Sequence, residues 1–300
     1  MPNIDFNVEA REALVIQRSE GLRNHALMSP YVWEQPGGEL GLMLRAVPTE
    51  PQATVTGSIF FGESTDGVTF RMDEHPVIAP GPDPIDAGGC EDPTVVLIGS
   101  RYVVYYTGVA ADRSSGQLLY ADGPHPRKLT KRGIALASSK TERNTKEATV
   151  ERTADDRWRL FYEYARNGAS AVGLALGDGV AGPWAEQPAP FEPRVDNWDK
   201  WHLSTGPLLT HNPDRPVMFY NGATEDARWR IGWVAFNRDC TEVTDRCVEP
   251  LITPPPPSER TGIDIAFAAS VIVRGGLVYL YYSLGDKVLY RSRIKEYGGR

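Results

Sequence analysis

Cysteine is scarce in this chain: Cys90, Cys240 and Cys247 are the only three in 300 residues. Three scattered thiols cannot build a disulfide framework. Cys240 and Cys247 could meet across a short loop, but all three are read as reduced, packed thiols. No His/Cys group has metal-ligand spacing, so neither a metal nor another cofactor is expected. No apolar run approaches the roughly 20 residues that a membrane helix needs, so no membrane partner is expected. Basic residues are not concentrated anywhere. With 32 Lys and Arg against 39 Asp and Glu the net charge is -7, which argues against a nucleic-acid partner. The opening "MPNIDFNVEA" has no basic start and no apolar stretch, so no signal peptide is read there and a cytoplasmic location is the expectation. Sustained helical periodicity is missing too. Only residues near 8–14 and 140–146 have the pattern of brief helical turns.

What the chain does have is strand-forming sequence punctuated by turns. It carries 29 Gly, 24 Pro and 13 Tyr, and with 41% hydrophobic residues it has the material for a packed core. A three-part unit returns five times. Its middle part is a turn followed by an apolar, aromatic strand: "GGELGLMLRAV", "GSRYVVYYTGV", "DDRWRLFYEYA", "PDRPVMFYNGA" and "RGGLVYLYYSL". Each holds a polar residue near its end, and these align as Arg45, Thr107, Glu163, Asn221 and Ser283. A shorter strand precedes each: "SPYVW", "DPTVV", "EATVE", "TGPLL" and "AASVI". A third strand follows each, as in "SAVGLALGDG" and "KVLYRSRI". One such sheet cannot bury both faces alone, whereas five stacked around an axis can, and ring closure leaves few exposed edges. The expectation is an all-β chain folded as one five-bladed β-propeller over residues 1–300, with "PGPDPIDAGG" and "PPPPSERTG" as loops between blades. An all-β sandwich would not explain the recurrence.

In a propeller the first strand of each blade lines the axis. Aligning the first strands puts Ser29, Asp92, Glu147, Thr205 and Ala268 at one level, with Glu163 close by at the end of a second strand. Carboxyls converging on a concave site suit glycoside hydrolysis, in which one protonates the leaving oxygen and another activates water or attacks carbon. Burial and mutual repulsion would push their pKa values apart.

The chain resembles glycoside hydrolase family 130, the β-mannoside phosphorylases and β-mannosidases, which are five-bladed propellers. "GCEDPTVVLIGSRYVVYYTG" is similar to the family's acidic pair before proline and the Tyr-rich strand after it. "NWDKWHLSTGP", "WRIGWVAFN", "EPLITP" and "YLYYSLGDKVLYRS" follow in the family's order. The resemblance implies that Asp92 is the general acid, acting in some members through a sugar hydroxyl. It implies that Arg45 contacts sugar, and that Phe267 and Asp286 line the subsite of the departing sugar. Ser29, Glu91 and Trp229 are further expected sugar contacts. Phosphorylase members hold phosphate with basic residues. The corresponding places here hold His202, Asn221 and Glu163, and Glu147 stands where a polar phosphate contact is common. His202 and Asn221 are therefore expected to touch substrate instead. A carboxylate would repel phosphate but can deprotonate water. The expectation is an inverting β-mannoside hydrolase, with β-1,2-linked manno-oligosaccharides as candidate substrates. Asp92 would be its acid and Glu163 or Glu147 its base, with the carboxyls about 6.5–9.5 Å apart.

Plainer readings stand beside these. Asp92 before Pro93 could only shape a turn. Glu147 beside Lys146 could be an exposed ion pair of little worth. Arg45 could pair with Asp92 and depress its pKa. Trp198 and Trp201 could be blade packing, with stacking on sugar favoured only for Trp229. Rival functions are a phosphorylase with another clamp (Lys146, Arg143 or Lys200), a non-catalytic sugar-binding propeller, and a hydrolase for a different sugar. A small oligosaccharide is the expected partner, and a monomer or modest homo-oligomer the expected assembly.

Overall fold

Each of the five sequence units folds into an antiparallel meander. The computed structural model describes residues 4–50, 53–152, 156–256, 258 and 264–298. The first sheet runs His25–Glu34, Leu40–Pro48, Ser58–Ser64 and Thr69–Met72, with Val15–Gln17 added in parallel at its outer edge. The second comprises Gly89–Ile98, Arg101–Val109, Gly116–His125 and Lys128–Leu136. The third comprises Arg143–Arg152, Trp158–Arg166, Ala169–Gly177 and Ala185–Gln187. The loop expected at 80–89 holds turns and bends up to residue 88, where the second sheet begins; the run 254–262 lies partly outside the described residues.

The fourth unit is broken into two short sheets laid end to end. His202–Ser204, Asn221–Ala223 and Arg230–Ile231 form one; Leu208–Leu209, Val217–Met218, Val234–Phe236 and Val243–Arg246 form the other. The break falls at Gly206-Pro207. Proline has no N–H to give the ladder, and a Cβ on Gly206 would lie 1.7 Å from the carbonyl oxygen of Phe219. Only glycine lets the two backbones approach that closely.

The fifth sheet comprises Ala266–Arg274, Leu277–Leu284 and Val288–Gly298, and its outer strand is the N-terminal segment Ile4–Ala13. This corrects the reading of residues 8–14 as a helical turn. Asp5 pairs with Tyr297 and Ala13 with Tyr290, so an edge that needed a partner overrides local helix propensity. Residues 143–146 are likewise strand, not helix.

The aromatic doublets of the second strands have a packing cause. Tyr105 joins a cluster with Leu160 and Tyr162 of the third sheet, while Tyr106 joins Trp33, Met43 and Phe61 of the first. Tyr281 packs on Leu42 and Phe60, and Tyr282 on the cluster that holds Phe219 and Trp233. Successive side chains of a strand point to opposite faces, so each second strand is buried between two neighbouring sheets. The three cysteines are buried thiols.

Hydrogen bonds link the five inner strands in a cycle. Ser29 Oγ bonds to Asp92 Oδ1 between the first and second sheets. Thr94 Oγ1 donates to Ala148 O at 2.6 Å between the second and third. Thr149 Oγ1 donates to Gly206 O at 2.8 Å, and Thr205 Oγ1 to Glu147 O at 2.9 Å, between the third and fourth. Asn221 donates from Nδ2 to Thr205 O at 2.6 Å and accepts at Oδ1 from the N–H of Ala268 at 2.8 Å, linking the fourth to the fifth. Ser270 Oγ, bonded to Pro30 O and the N–H of Val32, returns to the first. The N-terminal strand fastens this arrangement from outside. Phe6 lies edge-on to Phe219 at 5.5 Å and to Trp233 at 5.3 Å. Phe6→Ala is expected to destabilise the fold by about 3–5 kcal/mol, read as a lowered denaturant midpoint; an unchanged midpoint would show that the N-terminal strand is not anchored by this ring.

Candidate active site

The site is built from one irregularity repeated on the inner strands. The ladder between first and second strands shifts register after Met28, Glu91 and Lys146, and in the fifth sheet one residue later, after Ala268. The residues next in sequence are Ser29, Asp92, Glu147 and, in the fifth sheet, Ala269. Three of them take left-handed backbone angles: φ is 52° at Ser29, 49° at Asp92 and 50° at Glu147. Such angles are uncommon away from glycine, and bulges of this kind re-aim side chains. Just before the shift in the first three sheets, the inner strand pairs with the polar residue near the end of the second strand: Met28 with Arg45, Glu91 with Thr107 and Lys146 with Glu163; in the fifth sheet Phe267 pairs with Ser283 one residue earlier. Ser204 pairs with Asn221 at the corresponding place of the fourth sheet. The level read from sequence alignment is thus a structural level.

An open cleft of about 550 Å³ lies there. Among the described residues its wall carries five carboxyl groups, Glu91, Asp92, Glu147, Glu163 and Asp286, and two cations, Arg45 and Lys146. Ser29, Trp229 and Phe267 complete the set that sequence brought forward, and Met28 and Ile265 add apolar surface. A smaller space of about 290 Å³ shares Asp92 and Glu147 with it and is also lined by Thr94, Thr149 and Thr205.

Two charge clusters organise the carboxyls. Arg45 donates to Glu91 Oε1 at 2.6 Å and to the carbonyl of Thr56, and its Nη1 is 3.6 Å from Asp92 Oδ2. Lys146 Nζ lies 3.3 Å from Glu163 Oε1, and Ser170 Oγ donates to the same oxygen at 2.8 Å. Burial alone would favour neutral Asp92, but Arg45, a hydrogen bond from Glu147 and another from Ser29 outweigh it and hold the carboxyl below its usual range. Glu147 goes the other way. Burial first, and then the charge of Asp92, raise it well above an ordinary glutamate, with Lys146 offsetting only part. Glu91 is also raised, by burial chiefly, against the pull of Arg45. Glu163 chiefly raises Lys146, keeping it cationic. The surroundings therefore push the two carboxyls apart, Asp92 toward its ionised form and Glu147 toward its protonated form.

Two expected contacts stand outside the cleft lining. Asn221 is fully buried with both amide atoms engaged between the fourth and fifth sheets, so it stitches the fold and does not reach a sugar. His202 accepts at Nδ1 from the N–H of Ser170 at 3.0 Å and packs against Trp229, ring centroids 5.5 Å apart, so it supports the wall from behind. Glu147 is not the exposed partner of Lys146; the lysine reaches across the ladder to Glu163 instead. Sequence reasoning missed Met28 and Ser170. Met28 was findable, since it precedes Ser29 as Glu91 precedes Asp92. Ser170 was not, because its partner is fixed only by the pairing of the second and third strands.

Comparison with known proteins bears on the family and the fold. Residues 47–120 match the family model of glycoside hydrolase family 130, described as beta-1,4-mannooligosaccharide phosphorylase. A 1,2-beta-oligomannan phosphorylase of Thermoanaerobacter sp. (strain X514) is 23% identical over 267 residues, covering 84% of each chain. The beta-1,2-mannobiose phosphorylase of Listeria innocua, solved with beta-1,2-mannobiose, superposes with a TM-score of 0.74 at 18% identity, over 96% of this chain and 91% of that one. A further structure matches with a TM-score of 0.74 at 18% identity, over 95% of this chain and 94% of that one. It is described by the words "the GH130 family of mannoside phosphorylases contains glycoside hydrolases that target beta-1,2 mannosidic linkages in Candida mannan". The all-β fold is the one these structures share.

Asp286, also left-handed with φ of 50°, is pushed up to about 6 by burial first and Asp92 second. An unfolded aspartate titrates near ~3.9, so between about pH 4 and pH 6 the native state holds a proton that the unfolded chain has lost. The stability this proton contributes is present in acid and is lost as pH rises through about 6. Asp286→Asn is therefore expected to be more stable than the unmodified protein at pH 8, by on the order of 2 kcal/mol. The gain should shrink toward pH 4; thermal unfolding across that range checks it, and a pH-independent difference would contradict it.

Proposed function

The chain belongs to glycoside hydrolase family 130, and from that premise we propose that it is an inverting β-mannosidase built on a single five-bladed propeller. β-1,2-linked manno-oligosaccharides are the leading substrate class, since both β-1,2-mannoside phosphorylases and hydrolases are among the similar proteins. The five meanders and the cycle of inner-strand hydrogen bonds support the propeller. Asp92 belongs to the acid side of the reaction, Glu163 is the base, and Arg45, Trp229, Phe267 and Asp286 hold the sugars.

The single observation that carries hydrolysis over phosphorolysis is the Lys146–Glu163 pair. The cation that would best serve a phosphate is already matched by a buried carboxylate at 3.3 Å. A phosphate arriving there would meet Glu163; one unit-charge repulsion at ~4 Å and an effective dielectric of ~20 costs roughly 4 kcal/mol. Water meets no such penalty. Both contacts to Glu163 fall on Oε1, which leaves Oε2 to take a proton from water. Water would then attack the anomeric carbon from the face opposite the departing sugar, inverting the configuration.

Phosphorolysis is the second reading, favoured by the phosphorylase names of the curated relatives. It requires phosphate to displace Glu163 from Lys146. The two separate on one assay: mannose release from β-1,2-mannobiose with and without inorganic phosphate. Hydrolysis is expected to proceed at full rate without phosphate, and Glu163→Gln to lose roughly 10²–10⁴-fold in kcat. Obligatory phosphate with formation of mannose 1-phosphate would overturn the reading.

A further inference from the structure

Asp92 and Glu147 come from neighbouring inner strands and line the same two spaces, the open cleft and the smaller one beside it, which brings their carboxyls close enough to share a hydrogen bond. An ionised carboxylate only accepts, so a hydrogen bond between two carboxyls requires a proton on one of them. The surroundings decide which. Asp92 has Ser29 Oγ on Oδ1 and Arg45 at 3.6 Å from Oδ2, so both its oxygens face groups that favour the anion. Glu147 has Lys146 as its nearby cation, and that ammonium is committed to Glu163.

This poses a difficulty for a lone aspartic acid as proton donor. Arg45 and the hydrogen bonds to Asp92 keep it ionised at neutral pH, and an ionised group has no proton to give. The pair resolves it. We propose that the acid of this enzyme is a carboxyl dyad: Glu147 stores the proton, Asp92 accepts its hydrogen bond, and the two deliver one proton to the departing sugar's oxygen, directly or through a sugar hydroxyl. This rests on placing Asp92 on the acid side and deepens it by naming where the proton is kept. Two carboxyls in contact cannot both ionise readily, so the shared proton persists to higher pH than on Asp92 alone.

The step balances as follows in charge and atoms. The bond from C1 to the leaving oxygen breaks as the oxygen of water bonds to C1. Glu163 takes one proton from that water, and the dyad gives its proton to the leaving oxygen. Glu163 is then neutral and the dyad carries two negative charges; loss of one proton from Glu163 to solvent and uptake of one by the dyad restore the start. The charged and titratable groups facing the dyad are Arg45 from the first sheet, Glu91 from the second, Lys146 and Glu163 from the third, and Asp286 from the fifth. The fourth sheet presents Thr205 and, at the rim, Trp229.

Leaving-group dependence tests the dyad. A sugar leaving group needs a proton; 2,4-dinitrophenolate does not. Glu147→Gln keeps a hydrogen-bond donor toward Asp92 but has no proton to transfer. It is expected to lose at least about 100-fold in kcat on β-1,2-mannobiose and less than about 5-fold on 2,4-dinitrophenyl β-mannoside. The alkaline limb of its residual pH–rate profile should move to lower pH, because Asp92 alone holds a proton less well. Glu147→Asp, which retains a transferable proton, should recover part of the loss. Equal losses on both substrates, or no loss on either, would overturn the proposal. Infrared spectroscopy reads the proton itself: part of the protonated-carboxyl band of the unmodified protein at pH 7 should be missing from Glu147→Gln, and identical bands in the two would also overturn it. The fate of the hydrolase reading is separate. Should turnover require phosphate, the dyad still stands or falls on leaving-group dependence, because phosphorolysis needs the same proton.

Discussion

Among the described residues, five carboxyl groups share one cleft with two cations, and the structure around them is a response to that imbalance. Like charges at such distances cannot all ionise. Arg45 takes Glu91 and Asp92, Lys146 takes Glu163, and Glu147 is pushed toward its protonated form. The different protonation states of chemically similar groups follow from which cation reaches which oxygen. An acid and a base for glycoside cleavage require this kind of separation.

The backbone makes the crowding possible. Without the left-handed bulges at Ser29, Asp92 and Glu147, residues at that level would continue the alternation of their strands. Residues in such conformations persist only where their surroundings over-determine them. Here the restraints are visible: Thr94 holds the carbonyl of Ala148, Thr205 holds that of Glu147, and Ser29 reaches Asp92 itself. The hydrogen bonds that join one sheet to the next are thus the same ones that aim the carboxyls. Fold and site share a cause.

Much of this was legible in the sequence because the repeat is physical. Each second strand is buried on both faces and reads as an aromatic run, so the five copies align, and Arg45, Glu163 and Ser283 fall at equal positions. The N-terminal strand was not legible. "NVEAREAL" is made of good helix formers, and it is a strand because the last sheet lacks an outer partner until residues 4–13 supply one. Asn221 and His202 show the same limit at the level of side chains. Their positions follow from the repeat, but not whether their polar atoms are free; Thr205, Ala268 and Ser170 consume them. The pairing of Lys146 with Glu163 instead of its neighbour Glu147 depends on ladder register, which a one-residue bulge resets.

The central claim is that a carboxylate-matched lysine leaves room for water, and not phosphate, as the nucleophile. Its most direct test is the first product formed from β-1,2-mannobiose in 18O-labelled water, followed by proton NMR and mass spectrometry before mutarotation. The expected product is α-mannose carrying the label at its anomeric oxygen. Labelled β-mannose would contradict inversion, and a phosphorylated, unlabelled sugar would contradict the role given to Glu163.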